Sequence, residues 1–188
     1  MVDLRSFGES PQLTCRFAKQ DWVEWSNVPL YEYDLSAPAM QPVREIGGYF
    51  VSGYLRMLSS NISMRRLFAF VAEAKHDECV LFHCAAGMDR TGVVSMLLLG
   101  LVGASRHDIV ADYAYSFGEV DEVDATIDAN GDLIEQETLS TSLRNRIRVI
   151  STVYDTVIHE HGSIEAYLAS CEIPDSVLDR TRRHLLEA

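Results

Sequence analysis

Segment 83–92 constrains the fold of this chain more than any other feature of its sequence. Its sequence is His-Cys-Ala-Ala-Gly-Met-Asp-Arg-Thr-Gly, and it lies between two apolar runs. Residues 79–82 have the length and composition of a buried strand, and residues 93–99 open a long apolar helix. A tight, glycine-bearing loop between a strand and a helix N-terminus gathers unpaired backbone N–H groups at one point, where the helix dipole also favours negative charge. The sequence therefore predicts an anion site at this loop.

The residue types in the loop indicate nucleophilic attack on phosphorus. A cysteine attacks only as the thiolate, and we expect loop amides, the helix dipole and Arg90 to lower the pKa of Cys84, with a further hydrogen bond from Thr91. Arg90 follows Cys84 by six positions, and its planar guanidinium can hold two phosphate oxygens. We expect His83 to support the loop rather than to act as a base. The predicted phosphate-binding residues are Ala85, Ala86, Gly87, Met88, Asp89 and Arg90.

Hydrolysis of a phosphate ester also needs a proton donor for the leaving oxygen. A carboxyl group with a raised pKa can protonate that oxygen and later deprotonate the attacking water. Asp34 follows a strand-like run and precedes a proline-bearing loop, which predicts a position at the edge of the pocket. Asp89, inside the loop beside Arg90, is the rival. The sequence leaves both open, with a slight preference for Asp34.

This pattern resembles the protein tyrosine phosphatase signature, His-Cys-x-x-Gly-x-x-Arg-Thr-Gly, and its Cys-Ala-Ala-Gly-x-Asp-Arg form resembles that of the bacterial tyrosine/serine phosphatase family. Residues 2–6 are similar to the family's Asp-Leu-Arg-Ser strand, and similarity continues through 48–58, 108–113 and 162–174. The resemblance implies a phosphatase that forms a phosphocysteine intermediate. Its substrates would be phosphotyrosine and, in some members, phosphoserine, phosphothreonine or phosphoinositides. Asp34 falls close to the family's acid.

Two departures from the family bear on these expectations. Met88 stands where the family usually has lysine, which weakens attraction for polyanionic head groups. A protein phosphatase is therefore the preferred function, and a phosphoinositide phosphatase is the alternative. The family also has several dozen residues before its Asp-Leu-Arg-Ser strand, so we expect either a sheet short of N-terminal strands or a missing N-terminus. A phosphate-binding module without turnover is a third reading, against which stands the retention of Cys84, Arg90 and Thr91.

The strand and helix patterns predict an α/β domain with a mostly parallel central sheet flanked by helices. Strands are expected near 2–5, 28–33 and 78–83, with the catalytic loop at the carboxyl end of a central strand. Asn61 is predicted to cap the helix that follows it, and Ser105 with Asp108 to form a capping box.

The length of 188 residues, 47% of them hydrophobic, suits a single domain over 1–188. Within it, the proline- and glycine-bearing segment 36–58 is predicted to form a lid or mouth, and 138–188 to form C-terminal helices. The net charge of −12 disfavours nucleic-acid partners. No secretory signal or membrane-spanning run is evident, which predicts no stable membrane insertion.

Cysteine usage and the acidic segment complete the sequence-based expectations. The four cysteines have no metal-type spacing, which favours a reducing cytoplasm. Asp128-x-Asn130-x-Asp132 fails as a calcium loop because the sixth position is Leu133 and the twelfth is Leu139. We expect no metal and no cofactor, and a phosphotyrosine-bearing protein or peptide as the partner. The oligomeric state stays open.

Overall fold

A computed structural model describes residues 1–12, 14–30, 51–134 and 140–187, with two α-helices between the second and third of its three short strands and a run of helices after the third. The strands are β1 (Val2–Asp3), β2 (Ser26–Asn27) and β3 (Phe82–His83). The helices of the described residues are α1 (Val51–Leu58), α2 (Asn61–Glu73), α3 (Asp89–Leu101), α4 (Arg106–Ala114), α5 (Val120–Asp124), α6 (Thr141–His161), α7 (Ile164–Ser170) and α8 (Asp175–Leu186).

The three strands form one parallel sheet in the order β2-β1-β3. Val2 is fully buried and lies opposite Ser26 on one side and Phe82 on the other. Because the carboxyl ends of parallel strands meet at one edge, the residues that follow β1 lie beside those that follow β3. The prediction of an α/β fold with a parallel sheet is confirmed. The strand expected over 78–83 is only Phe82–His83, however, and Cys79 and Leu81 of the run expected to be buried are exposed.

The second strand begins earlier than its apolar residues predict. Asn27 carries the pairing with its side chain as well as its backbone, since its amide nitrogen donates to the carbonyls of Asp3 and Arg5, both at 2.8 Å. The buried Val28 continues this pairing through its amide, 2.9 Å from the Asp3 carbonyl. Polar residues therefore start the strand, and apolar periodicity does not detect them.

The described residues fall into two compact units. The first takes the described parts of Met1–Pro38, Arg56–Thr91 and Leu168–Ala188, and the second takes those of Ala39–Leu55 and Gly92–Tyr167. The first unit contains the whole sheet and the pair formed by α2 and α8. A single domain over the whole chain stays a prediction.

Helix α2 buries one apolar face in the first unit, formed by Met64, Leu67, Phe68 and Val71. Its N-cap is Ser60, whose hydroxyl accepts from the Ser63 amide at 3.3 Å. The expected cap, Asn61, is instead the first residue of the helix. Ser63 also donates to the Pro29 carbonyl at 2.5 Å, which ties the helix to the segment after β2.

Helices α4 and α6 pack together in the second unit. The capping box at the start of α4 is confirmed, since the Ser105 hydroxyl accepts from the Asp108 amide and the Asp108 carboxylate accepts from the Ser105 amide. The buried face of α6 includes Leu143, Ile147, Ile150, Val153 and Val157. Across the described ranges, no helix has the length and apolarity that crossing a bilayer requires.

Tyr113 is the centre of an aromatic cluster in the second unit. Its hydroxyl lies 2.6 Å from that of Tyr54, and its ring centroid lies 5.1 Å from that of Phe117. Its ring also covers the backbone of Gly92, where a Cβ atom would stand 2.4 Å from a ring carbon. Gly92 is therefore required by this close approach, because no side chain fits between the two.

Residues 128–132 of the acidic segment form a turn in which a carboxylate accepts from the backbone. Asp128 accepts from the amides of Asn130 and Asp132, at 2.8 and 2.9 Å. Arg106 pairs with Asp132 at 3.0 Å and with Asp155 at 2.8 Å. The Asp128 carboxylate is thus committed to the turn.

Candidate active site

The loop that follows β3 begins with a buried cysteine and continues with exposed residues. Cys84 comes directly after the strand and is only 7% exposed, while Ala85, Ala86 and Gly87 are exposed. Gly87 has a φ of 72°, a left-handed conformation that favours glycine. Met88 and Asp89 are half-buried, and α3 begins at Asp89. The strand, loop and helix therefore follow one another as the anion-site pattern requires.

The environment of Cys84 favours its thiolate. Burial acts to raise the pKa of the thiol, but the Thr91 side chain and the amides of Thr91, Met88 and Gly87 favour the thiolate and lower the pKa. The net pKa lies below the ordinary value for cysteine. Thr91 Oγ1 is buried and makes no hydrogen bond within the described ranges, so this hydroxyl stays available to a negative charge in the loop. The loop is thus built to hold a negatively charged atom.

We expect alkylation of Cys84 by iodoacetamide to reach half its maximal rate at a pH below about 8.5, the ordinary value for a free thiol. The reason is that the loop amides and Thr91 favour the thiolate of Cys84 over its neutral thiol. Peptide mass spectrometry at each pH separates Cys84 from the exposed Cys79. A midpoint at or above the free-thiol value would contradict this description of the loop.

Arg90 ends the loop and is buried, with 8% of its surface exposed. Its Nη1 atom donates to Glu9 Oε2 at 2.6 Å and its Nη2 atom donates to Glu9 Oε1 at 3.0 Å. The bond from Arg90 is the main reason that the pKa of Glu9 falls to about 2, so the pair stays charged at neutral pH. A guanidinium has five N–H donors, of which this contact uses two. Glu9 thereby fixes the plane of the Arg90 guanidinium.

Glu9 is the residue of the site that sequence reasoning missed. It is held by reciprocal bonds with Ser6, whose amide donates to Glu9 Oε2 at 2.9 Å and whose hydroxyl accepts from the Glu9 amide at 3.2 Å. Ser6-x-x-Glu9 is a capping-box pattern directly after the Asp-Leu-Arg strand, and that pattern is the signal by which the position could be found.

A buried ion pair lies beneath the loop at the end of β1. Asp3 is fully buried, and its Oδ1 and Oδ2 atoms accept from Arg5 Nε at 2.8 Å and Nη2 at 2.6 Å. Burial acts to raise the pKa of Asp3, but the bonds from Arg5 outweigh it and lower the pKa. His83 Nε2 is 4.0 Å from Asp3 Oδ2, and His83 Nδ1 is 2.9 Å from the Cys84 carbonyl, to which it donates. His83 thus contacts the loop from the strand side.

The structure describes only one of the two carboxylates considered as the proton donor. Asp89 is the first residue of α3, directly before Arg90. Asp34 lies outside the described residues, as does the 36–50 part of the predicted lid, whereas 51–58 is helix α1. The choice between Asp34 and Asp89 therefore stays as open as the sequence left it.

The arrangement suits transfer of a phosphoryl group. A stabilised thiolate supplies the nucleophile, and loop amides with a fixed guanidinium supply positive charge for phosphoryl oxygens. Within the ranges that the structure describes, no three His, Cys, Asp or Glu side chains are grouped so that they could hold a metal ion.

Comparison with known proteins agrees with this chemistry. The model of the tyrosine phosphatase family matches residues 1–187. A tyrosine-protein phosphatase of Nostoc commune is 33% identical over 119 residues, which are 61% of this chain and 39% of that protein. The triple specificity protein phosphatase PtpB of Mycobacterium tuberculosis is 30% identical over 151 residues, 73% of this chain and 55% of that protein. The chain thus spans about half the length of these relatives or less.

Proposed function

This chain belongs to the tyrosine phosphatase family, and on that premise we propose that it hydrolyses phosphate monoesters on protein side chains, phosphotyrosine above all. The observation that carries the proposal is the pairing of a buried, thiolate-stabilised Cys84 with an Arg90 whose guanidinium is fixed by Glu9. Its substrate would be a phosphotyrosine-bearing protein or peptide. A reducing cytoplasm suits a cysteine that must stay unoxidised.

In the first step the Cys84 thiolate attacks phosphorus in line with the ester oxygen. The S–P bond forms as the P–O bond breaks, and the leaving tyrosyl oxygen takes a proton from Asp34 or Asp89. Arg90 and the loop amides hold the other phosphoryl oxygens as negative charge develops on them. Phosphocysteine is the product of this step.

In the second step water attacks phosphorus and the S–P bond breaks. The carboxylate that gave its proton accepts one from the water, and the electron pair of the broken bond returns to Cys84 as thiolate. Phosphate leaves and the resting state is restored. These steps balance in atoms and charge with the side chains of the chain and water alone.

Phosphoserine and phosphothreonine can enter the same two steps, and we propose them as weaker substrates because an alkoxide is a poorer leaving group than a phenolate. A phosphoinositide phosphatase is the second candidate function. The net charge of −12 and the neutral side chain of Met88 beside the anion site weigh against it.

The test of the proposal is phosphate release from a phosphotyrosine peptide, with acid quenching of the early reaction to trap phosphocysteine. The proposal predicts a phosphorylated peptide that contains Cys84 and is absent from the Cys84→Ser variant. Binding of phosphate or vanadate with no release of phosphate under any condition would instead support a binding module.

The general acid is identified by Asp34→Asn and Asp89→Asn, each measured with two aryl phosphates. Loss of the acid should lower kcat about 10²-fold or more for phenyl phosphate, whose leaving group is basic, and far less for p-nitrophenyl phosphate. The variant that shows this difference marks the acid, and the other serves as its matched control. Equal losses on both esters in both variants would contradict general-acid catalysis by either residue.

A further inference from the structure

An exposed aromatic side chain follows β1 at the same sheet edge as the Cys84 loop. β1 and β3 are parallel neighbours in register, with Asp3 opposite His83, so their carboxyl ends coincide. Cys84 comes directly after β3, and Phe7 comes four residues after β1. The topology alone therefore brings the turn that carries Phe7 beside the loop that carries the nucleophile.

This turn, residues 6–10, is fixed in two ways. Within it, Ser6 and Glu9 exchange hydrogen bonds, and the amide of Ser10 donates to the Ser6 carbonyl at 3.1 Å. Outward from it, the Glu9 carboxylate holds the Arg90 guanidinium with two bonds of 2.6 and 3.0 Å. The turn is thus attached directly to the residue expected to hold the phosphate.

Phe7 lies between the two residues that fix the turn, and it is 60% exposed. Its Cα is two residues from that of Glu9, a separation of at most about 7 Å, and the Glu9 carboxylate contacts Arg90 directly. A single exposed apolar residue is ordinary on a protein surface. The placement of Phe7, on a turn held by the phosphate-binding arginine, is what gives it a role.

Building on the proposed function, we propose that Phe7 is a specificity-determining residue that contacts the aromatic ring of phosphotyrosine while Arg90 holds its phosphate. Two aromatic rings gain contact in offset or edge-to-face geometry, and a flat phenyl ring loses little freedom in making it. Phosphoserine places no ring at the mouth of the site, so it gains nothing from Phe7. The residue thereby favours aryl over alkyl phosphate esters.

The inference is tested with two synthetic peptides of identical sequence, one with phosphotyrosine and one with phosphoserine. We expect Phe7→Ala to raise KM for the phosphotyrosine peptide about fivefold to tenfold with little change in kcat. For the phosphoserine peptide, KM and kcat of the variant should stay within about twofold of the parent values, because that substrate makes no ring contact. Phe7→Leu, which keeps apolar bulk without a flat ring, should fall between.

Trp22→Ala is the matched control, since Trp22 is 74% exposed in the same unit. It lines a cavity of about 390 Å³ together with Met1 and Leu81, at the amino ends of β1 and β3 and so at the opposite edge of the sheet. We expect it to change neither peptide's kinetics. Equal losses on both peptides in Phe7→Ala would indicate a structural role and overturn the inference, as would an unchanged KM for phosphotyrosine.

Titration of both peptides into the Cys84→Ser variant separates this inference from the proposed function. If the parent chain hydrolyses neither peptide, the proposed function fails. A preference for the phosphotyrosine peptide that disappears in Cys84→Ser with Phe7→Ala then still supports the role of Phe7. Absence of any preference in that titration overturns it.

Discussion

Cys84→Ser is expected to lower the rate of phosphotyrosine hydrolysis at least about 10⁴-fold, because removing a catalytic nucleophile commonly costs that much or more. The contacts to the sulfur stabilise a thiolate and lower the pKa of Cys84. A serine hydroxyl in the same place stays protonated at neutral pH, so neither attack nor a covalent intermediate follows. Phosphate release from the peptide measures the loss, and acid quenching shows whether any phosphoenzyme remains.

Cys79→Ser provides the control for that substitution. Cys79 is exposed and lies in the same unit, in the segment that leads into β3. The same chemical change there should leave hydrolysis within about twofold, as expected for a surface position away from the site. Retention of more than about one per cent of the parent rate by Cys84→Ser would contradict the phosphocysteine mechanism.

The second large effect is expected at Arg90. Replacement by alanine should lower kcat/KM about 10³-fold or more, because the guanidinium supplies positive charge to the phosphoryl oxygens in the transition state. It also leaves the Glu9 carboxylate without its partner beside an anionic substrate. Arg90→Lys keeps the charge but not the planar fork that binds both Glu9 oxygens, so it should remain at least about tenfold below the parent.

Glu9→Gln separates the loss of the Arg90 charge from the effect of an unpaired Glu9 carboxylate. Alone, it removes the charge that fixes Arg90 and should lower kcat/KM about tenfold while Arg90 itself remains. Combined with Arg90→Ala, it removes the unpaired carboxylate, so the double variant should recover part of the activity lost in Arg90→Ala. Strictly additive losses would show that Glu9 acts independently of Arg90. Full activity in Arg90→Ala would contradict the role of the guanidinium altogether.

The sequence predicted the parallel sheet and the helix after the loop because both depend on short-range patterns. Val2 and Leu4 alternate with polar residues, and Ser105 with Asp108 forms a local capping box. Glu9 was not predicted as part of the site because its contact joins residues 81 positions apart. The general acid was not assigned because its role depends on geometry across the chain, which neither composition nor spacing specifies.

In the first unit, the structure also distinguishes between two adjacent candidates for the N-cap of α2. Ser60 rather than Asn61 caps α2, since its hydroxyl accepts from the Ser63 amide and donates to the Ser63 hydroxyl at 2.9 Å. Both residue types are good caps, and a one-residue shift is within the uncertainty of sequence patterns. In the same way, the hydrogen bonds of the Asn27 side chain make the second strand begin at polar residues, which apolar periodicity does not mark.

Packing against the Tyr113 ring, and not phosphate binding, explains Gly92, the glycine at the end of the loop signature. On the proposed mechanism the cysteine and arginine of the signature serve phosphate chemistry, but its terminal glycine is explained by the Tyr113 ring, which would stand 2.4 Å from a Cβ atom there. A larger residue at position 92 is therefore admitted only together with a smaller residue at position 113. A homologue that lost the chemistry altogether would still be expected to keep this glycine for as long as it kept the tyrosine.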